Sequence, residues 1–254
     1  MKIFYRLSDG SYKKERFENA TKGNCFLNFI NNFMYEHGRS SEDELILVLD
    51  NVKDETFDQY SLLMKEAYID GRVERTHGGS SAAGFRIVFN MALELNDDEV
   101  IYFMEDDYCH LPNSRQVLLE GLERSHYCCL YTHPDKFIPG SQGGNPLIGE
   151  DGAEETKVFV TQSSYWMLTN STTMTCATRV GILREDQDVW KKYTEGDYPH
   201  DMQIFFELRN KGRTLVQPIP TKATHCEPRW SAHLFGTGIT SWDEFLNQNK
   251  RVDI

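Results

Sequence analysis

Two near-continuous apolar runs, ELILVL at Glu44–Leu49 and VIYFM at Val100–Met104, stop on acidic residues, Asp50 in one case and Glu105–Asp107 in the other. A short apolar run without polar alternation suits a strand buried on both faces, which needs helices above and below it. Strands of that kind belong to parallel sheets, so the two runs point to an α/β fold more sharply than composition does. The surrounding periodicity agrees. Lys2–Leu7 reads as a first strand, and Asn24–Tyr35 carries apolar residues at helical spacing. Thr56–Ala67 reads as helix, Gly71–Arg75 as a short strand, and Ala82–Leu95 as a helix leading to the Val100 strand. This β-α-β-α-β-α-β order predicts a doubly wound, mostly parallel central sheet flanked by helices.

After Asp107 the pattern loosens. Asn113–Ser125 reads as helix, with Asn113 or Ser114 as N-cap, and Tyr127–Thr132 as strand. Ile138–Glu155 is rich in glycine and acids and poor in apolar residues, which predicts a long loop. Lys157–Gln162 and Tyr165–Thr169 read as strands, Asp201–Lys211 as a helix closed by Gly212, and Thr214–Pro218 as a last strand. Without internal repeats, residues 1–254 are expected to form one domain, regular over 1–110 and more irregular over 111–254.

A formal net charge of −12 argues against a nucleic-acid polymer as partner, since phosphate backbones select basic surfaces. A phosphate-bearing small molecule remains compatible if a metal ion supplies positive charge. The six cysteines lack C-x-x-C spacing, and Cys128 and Cys129 are adjacent, so they are expected to be reduced, mostly buried thiols of a cytosolic protein. MKIFYRLSDG at the start has no signal-like apolar run, and no stretch approaches the roughly 20 apolar residues of a membrane span. A soluble, cytoplasmic chain is therefore expected, with no indication of its oligomeric state.

Ligands of open α/β sheets gather at the carboxyl ends of the strands. That rim would carry Ser8-Asp9, Asp50-Asn51 and Glu105–Asp107. Three adjacent carboxylates repel one another wherever water is partly excluded, so a positive group belongs with them. A hard divalent ion, Mg²⁺ or Mn²⁺, takes oxygen ligands and completes its shell with substrate phosphates. Strand alternation would turn Glu105 and Asp107 to one face and Asp106 to the other.

On these residues the first half resembles the nucleotide-binding half of GT-A (Rossmann-like) glycosyltransferases. The resemblance implies that Asp50 contacts the base and that HGGSSAAGFR (His77–Arg86) opens the next long helix, with Arg86 on the donor side. It matches EDD to that family's D-x-D-type motif, with Asp107 as metal ligand, Asp106 on the ribose and Glu105 supporting. In the second half, HDMQIFFELRNKG (His200–Gly212) is similar to the helix whose first acid is the general base of inverting members, which points to Asp201. His200 replaces the usual preceding acid, which leaves Asp197 in contention. PIPTKATHCEP (Pro218–Pro228) resembles the segment that carries a further metal-binding histidine, here His225, with His233 as competitor. The implied activity is metal-assisted transfer of a sugar, with inversion as in that family's inverting members, from a nucleotide-diphosphate donor to a hydroxyl acceptor such as a glycan. Mn²⁺ or Mg²⁺ would stabilise the leaving diphosphate, and the 138–155 loop would order over the donor to exclude water.

Each feature also has a plainer reading. Acidic turns after strands are common, Gly78–Ser81 reads equally as a helix-opening loop with an N-cap serine, and no G-K-[ST] follows to make a P-loop. Asp201 suits a helix N-terminus by charge alone, and a lone histidine such as His225 is more often structural. Trp166, Trp230 and Trp242 are candidates for the core or for stacking on a sugar; Trp166, Ser171 and Thr172 are placed on the acceptor side. The rival activities are a sugar-phosphate nucleotidyltransferase, although LSDGSYKKERF lacks the glycine spacing of its loop, and a catalytically silent nucleotide- or glycan-binding module. A non-haem iron oxygenase fits less well, because His200-Asp201 is not an H-x-D pair.

Overall fold

In the computed structural model, which describes residues 1–10, 14–35, 43–67 and 69–248, the two apolar runs lie inside a nine-stranded sheet. Its strands β1 (Lys2–Ser8), β2 (Glu44–Asp50), β3 (Gly71–Thr76) and β4 (Val100–Glu105) pair in parallel in the order β3-β2-β1-β4. Helices α1 (Lys22–Phe29), α2 (Asp54–Glu66) and α3 (Ser81–Leu93) lie on the crossovers between them. Local chemistry sets where they start: Thr21 Oγ1 accepts from Asn24 N at 3.1 Å to open α1, and Ser80 Oγ accepts from Ala83 N at 3.1 Å to open α3.

The second half contributes β5 (Tyr108–His110), α4 (Ser114–Leu122), β6 (Tyr127–Cys128), β7 (Val158–Val160), β8 (Tyr165–Leu168) and β9 (Cys176–Arg179). It continues with α5 (Val180–Glu185), α6 (Gln187–Lys192), α7 (Asp201–Asn210), β10 (Leu215–Ile219), β11 (Ala223–His225) and α8 (Trp242–Gln248). The sheet runs on as β4-β9-β6-β10-β8-β7, with β8 and β9 reversed and the other seven strands in one direction. The mostly parallel sheet expected from the sequence is present. The expected strand at Tyr127–Thr132 pairs only as Tyr127–Cys128, because the chain then leaves the sheet and Tyr131 bridges to Ala223 instead.

Strand alternation divides the core between the two faces. Ile3, Tyr5 and Leu7 pack with Leu45, Leu47, Leu49, Phe26 and Phe29 on one side. Phe4, Ile46 and Val48 pack with Phe85, Phe89, Phe103 and Trp190 on the other. Each such side chain contributes about 1.5–3 kcal/mol on burial, so this double-sided packing fixes the strand register. Apart from the main sheet, β5 and β11 form an antiparallel ribbon that pairs Tyr108 with His225. All six cysteines are buried and free. No helix among the described residues is long and apolar enough to cross a membrane.

Candidate functional site

A cleft of about 780 Å³ opens at the carboxyl-end rim of β1, β2 and β4. Parallel register aligns Ser8 with Asp50 and Arg6 with Glu105 along this rim. The chain turns at Asp106-Asp107 between β4 and β5, and the β5–β11 ribbon sets His225 beside that turn.

Each carboxylate of Glu105–Asp107 has its own cation. Arg6 Nη2 donates to Glu105 Oε1 at 2.8 Å while Arg6 Nη1 donates to the Ser81 carbonyl at 2.5 Å. Lys22 Nζ lies 2.9 Å from Asp106 Oδ2, which also accepts from Ser8 N at 3.1 Å. Asp107 Oδ2 lies 3.0 Å from Lys14 Nζ and 3.3 Å from both Arg16 Nη2 and His225 Nε2. Its Oδ1 is buried with no hydrogen-bond donor among the described residues. Burial would raise the Asp107 carboxyl, but the hydrogen bond and charge of His225, with Lys14 and Arg16, hold it well below the ordinary range. Glu105 and Asp106 go the other way: burial raises both, despite Arg6 and Lys22 respectively.

Asp201 reaches the same cleft from the first residue of α7. Its Oδ1 accepts from Met202 N at 2.7 Å. Burial raises its carboxyl above the usual range, against the Met202 hydrogen bond and the charges of His133 and Lys136. Beside it the cleft is lined by Tyr198, which is 63% exposed, and by Trp230, whose ring centroid is 5.3 Å from that of His133.

The sequence-predicted residues divide by position. Ser8, Asp50, Glu105, Asp106, Asp107, Asp201 and His225 line the cleft. Asp50 is also a brace: its Oδ1 accepts from Thr76 Oγ1 at 2.9 Å and from Gly78 N at 2.6 Å. Asp9 is turned to the start of α2, accepting from Lys53 N at 2.7 Å and Thr56 Oγ1 at 2.9 Å. Arg86 donates to the carbonyls of Thr194 and Gly196 and so supports the loop before Asp201 from outside the cleft. Asp197 is exposed outside the cleft lining, as is His233, whose Nδ1 accepts from Phe235 N at 3.0 Å. Residues 11–13, within LSDGSYKKERF, lie outside the described residues.

Three expectations need correction. Trp166 is a core residue at 0% exposure, stacked on Phe159 and donating to Thr161 Oγ1, because β8 pairs with β10 in the sheet. Ser171 and Thr172 are buried; Lys136 Nζ, itself buried, donates to Ser171 Oγ at 2.5 Å, and the adjacent Thr173 and Met174 reach the cleft instead. The 138–155 loop does not border the cleft: its Asn145 is buried against Asn170 and Ser171, donating to Asn170 Oδ1 at 3.1 Å. Sequence reading also missed Arg6, Lys14, Arg16, Lys22 and Glu227. Lys14 and Glu227 lay inside stretches quoted for other features, LSDGSYKKERF and PIPTKATHCEP, and nothing local to either marks it as a partner in the cleft.

A divalent ion at this rim has candidate donors in Asp107, His225 and Glu227. They converge on a cation already, since Lys14 Nζ stands 3.0 Å from Asp107 Oδ2, 3.3 Å from His225 Nε2 and 2.5 Å from Glu227 Oε1. With Lys14 there the donor set does not fit a bound ion, and no group of three or more acidic, histidine or cysteine ligands arranged for a metal occurs among the described residues.

No family model matches the chain, and no curated protein matches it. Its fold does match solved structures. The galactosyltransferase LgtC, in complex with donor and acceptor sugar analogues, aligns over 98% of this chain and 95% of its own at a TM-score of 0.54 and 9% identity. GalNAc-T7 with UDP, GalNAc and Mn²⁺ aligns over 91% of this chain and 44% of its own at a TM-score of 0.59 and 12% identity. At such identities the likeness is one of fold, and the fold is that of GT-A glycosyltransferases.

Proposed function

We propose that this protein is a glycosyltransferase that moves a sugar from a nucleotide-diphosphate donor to a hydroxyl acceptor, a glycan being the acceptor class its aromatic side favours. The observation that carries this reading is that Arg6, Lys14 and Arg16 share one cleft with the partly buried carboxylate of Asp201. The cations suit a diphosphate, whose charge grows as the glycosidic bond breaks. The buried Asp107 Oδ1 has room in its bonding for a donor hydroxyl. Tyr198 and Trp230 offer apolar faces to a sugar near Asp201.

In the proposed reaction the acceptor hydroxyl gives its proton to Asp201 as its oxygen bonds the anomeric carbon. The bond from that carbon to the diphosphate oxygen breaks, and the electron pair leaves with the nucleotide diphosphate. The raised basicity of Asp201 serves this role. Direct displacement without an enzyme nucleophile inverts the anomeric centre. The expected Mn²⁺ or Mg²⁺ has no place among Asp107, His225 and Glu227 while Lys14 holds them, so the positive charge for the leaving group is assigned to side chains.

A panel of nucleotide-diphosphate sugars with simple glycans as acceptors tests the reading. Release of nucleotide diphosphate with formation of a glycoside is expected. Pyrophosphate release from a nucleoside triphosphate and a sugar phosphate would replace it with the nucleotidyltransferase, and nucleotide binding without any turnover with the silent module.

A further inference from the structure

We propose that Lys14 is the resident cation of this cleft: its ammonium occupies the position a divalent ion would take, binds the donor diphosphate with Arg16 without added metal, and must be displaced before an ion can enter. The inference rests on the glycosyltransferase reading and adds the cation chemistry of its donor site. Two carboxylate oxygens, from Asp107 and Glu227, lie 3.0 and 2.5 Å from Lys14 Nζ, and His225 Nε2 stands 3.3 Å from it. These residues come from β11, the turn after β4 and the segment after β11, so their convergence is built by tertiary structure and is not a local accident of sequence.

The charge count agrees. Lys14 and Arg16 together bring two permanent positive charges against Asp107 and Glu227, the same total as one divalent ion. Both line the cleft, so a diphosphate can reach them. An ammonium and a divalent ion less than about 3 Å apart at the same carboxylate repel strongly, the more so between side chains as little exposed as Lys14 and Asp107. Their occupancies are therefore exclusive, and the lysine lowers apparent ion affinity by the fraction of time it holds the donors.

Isothermal titration of a nucleotide-diphosphate panel in EDTA and in Mn²⁺, with free Mn²⁺ followed by its paramagnetic resonance, tests the inference on the intact chain. Wild type is expected to bind at least one nucleotide diphosphate in EDTA, with affinity changed less than about threefold by Mn²⁺. Lys14→Met should weaken that metal-free binding by about 10–100-fold, the value of a charged hydrogen bond, and tighten Mn²⁺ binding about 10-fold or more. Lys14→Arg, which keeps the charge, should retain metal-free binding. Wild-type nucleotide binding that requires Mn²⁺, or Mn²⁺ binding no tighter in Lys14→Met, overturns the inference and leaves the glycosyltransferase reading standing. Failure to bind any nucleotide diphosphate under either condition defeats that reading and this inference together.

Discussion

His225 Nε2 stands 3.3 Å from Asp107 Oδ2, held there by the β5–β11 ribbon that pairs His225 with Tyr108. The imidazole is a principal reason that the Asp107 carboxyl sits low, so it keeps the carboxylate ionised and oriented beside Lys14. His225→Ala is expected to weaken nucleotide-diphosphate binding about 10-fold, as the loss of one charge-assisted contact would. His225→Gln, which keeps a donor, should recover most of it. Titration calorimetry reads both, and equal affinity for wild type and His225→Ala would reduce His225 to a ladder residue.

Asp201→Asn should abolish turnover while raising stability. Loss of a general base costs roughly 10²–10⁴-fold in rate. The stability sign follows from the raised carboxyl: the folded state binds a proton more readily than the unfolded chain, so ionising Asp201 costs stability as pH rises from the unfolded value through the folded one. That cost is present at neutral pH, and asparagine removes it while an amide oxygen can still accept from Met202 N. A higher melting temperature for Asp201→Asn at pH 7.5, narrowing toward pH 4, is expected. The rate profile of wild type should fall on its acid side at a pH above the ordinary carboxylate range. A variant that is both inactive and less stable at pH 7.5 would place Asp201 in the scaffold.

The fold was legible where apolar residues alternate with nothing. ELILVL and VIYFM can be buried on both faces only in a sheet covered on both sides, and they became β2 and β4. CATR at Cys176–Arg179 carries no such signal, yet it forms β9, because β4 and β6 supply both of its ladders. At the site, the strand-end acids could be read because burial makes clustered carboxylates conspicuous. Their partners could not, since Arg6 and Lys14 differ from solvated cations only through contacts made by distant segments. Trp166 failed for a related reason: an aromatic in a short strand is the same sequence whether it faces a sugar or Gly121, and here a Cβ on Gly121 would lie 2.6 Å from the Trp166 ring.

Gly84→Ala should couple a core change to the cleft. A Cβ at residue 84 would lie 2.6 Å from Asp50 Oδ2 and 3.2 Å from Arg6 Nη1. Asp50 would have to leave its bonds to Thr76 and Gly78, and Arg6 would be pushed against its pairing with Glu105. A loss of about 1–3 kcal/mol is expected from such overpacking, together with weaker nucleotide binding. Gly196→Ala is the control: a Cβ there meets nothing within 4 Å, so stability should change by less than about 0.5 kcal/mol. Denaturant titration and calorimetry of the two variants decide, and an unperturbed Gly84→Ala would show that Asp50 does not brace the rim.

Acid should weaken the protein at a pH where the depressed carboxyl of Asp107 is still ionised. His110 is buried between Phe29 and Phe33, at ring-centroid distances of 5.5 and 5.7 Å, and its Nε2 lies 2.9 Å from the Tyr102 hydroxyl. Its Nδ1 has no partner among the described residues, and burial drives the imidazole from 6.5 down to about 3. The unfolded chain therefore takes up a proton near pH 6.5 that the folded chain refuses until about pH 3. Stability from this residue is complete above pH 6.5 and is lost as pH falls through that window, by roughly 2 kcal/mol at pH 5. Asp107, whose carboxyl is depressed, loses its contribution only below the ordinary carboxylate range, so pH 5 separates the two. Urea unfolding at pH 7.5 and pH 5 measures the difference in wild type and in His110→Gln. The substitution costs stability at both pH values, but the gap between them should shrink by about 2 kcal/mol; an unchanged gap would mean that His110 takes its proton without opening the core.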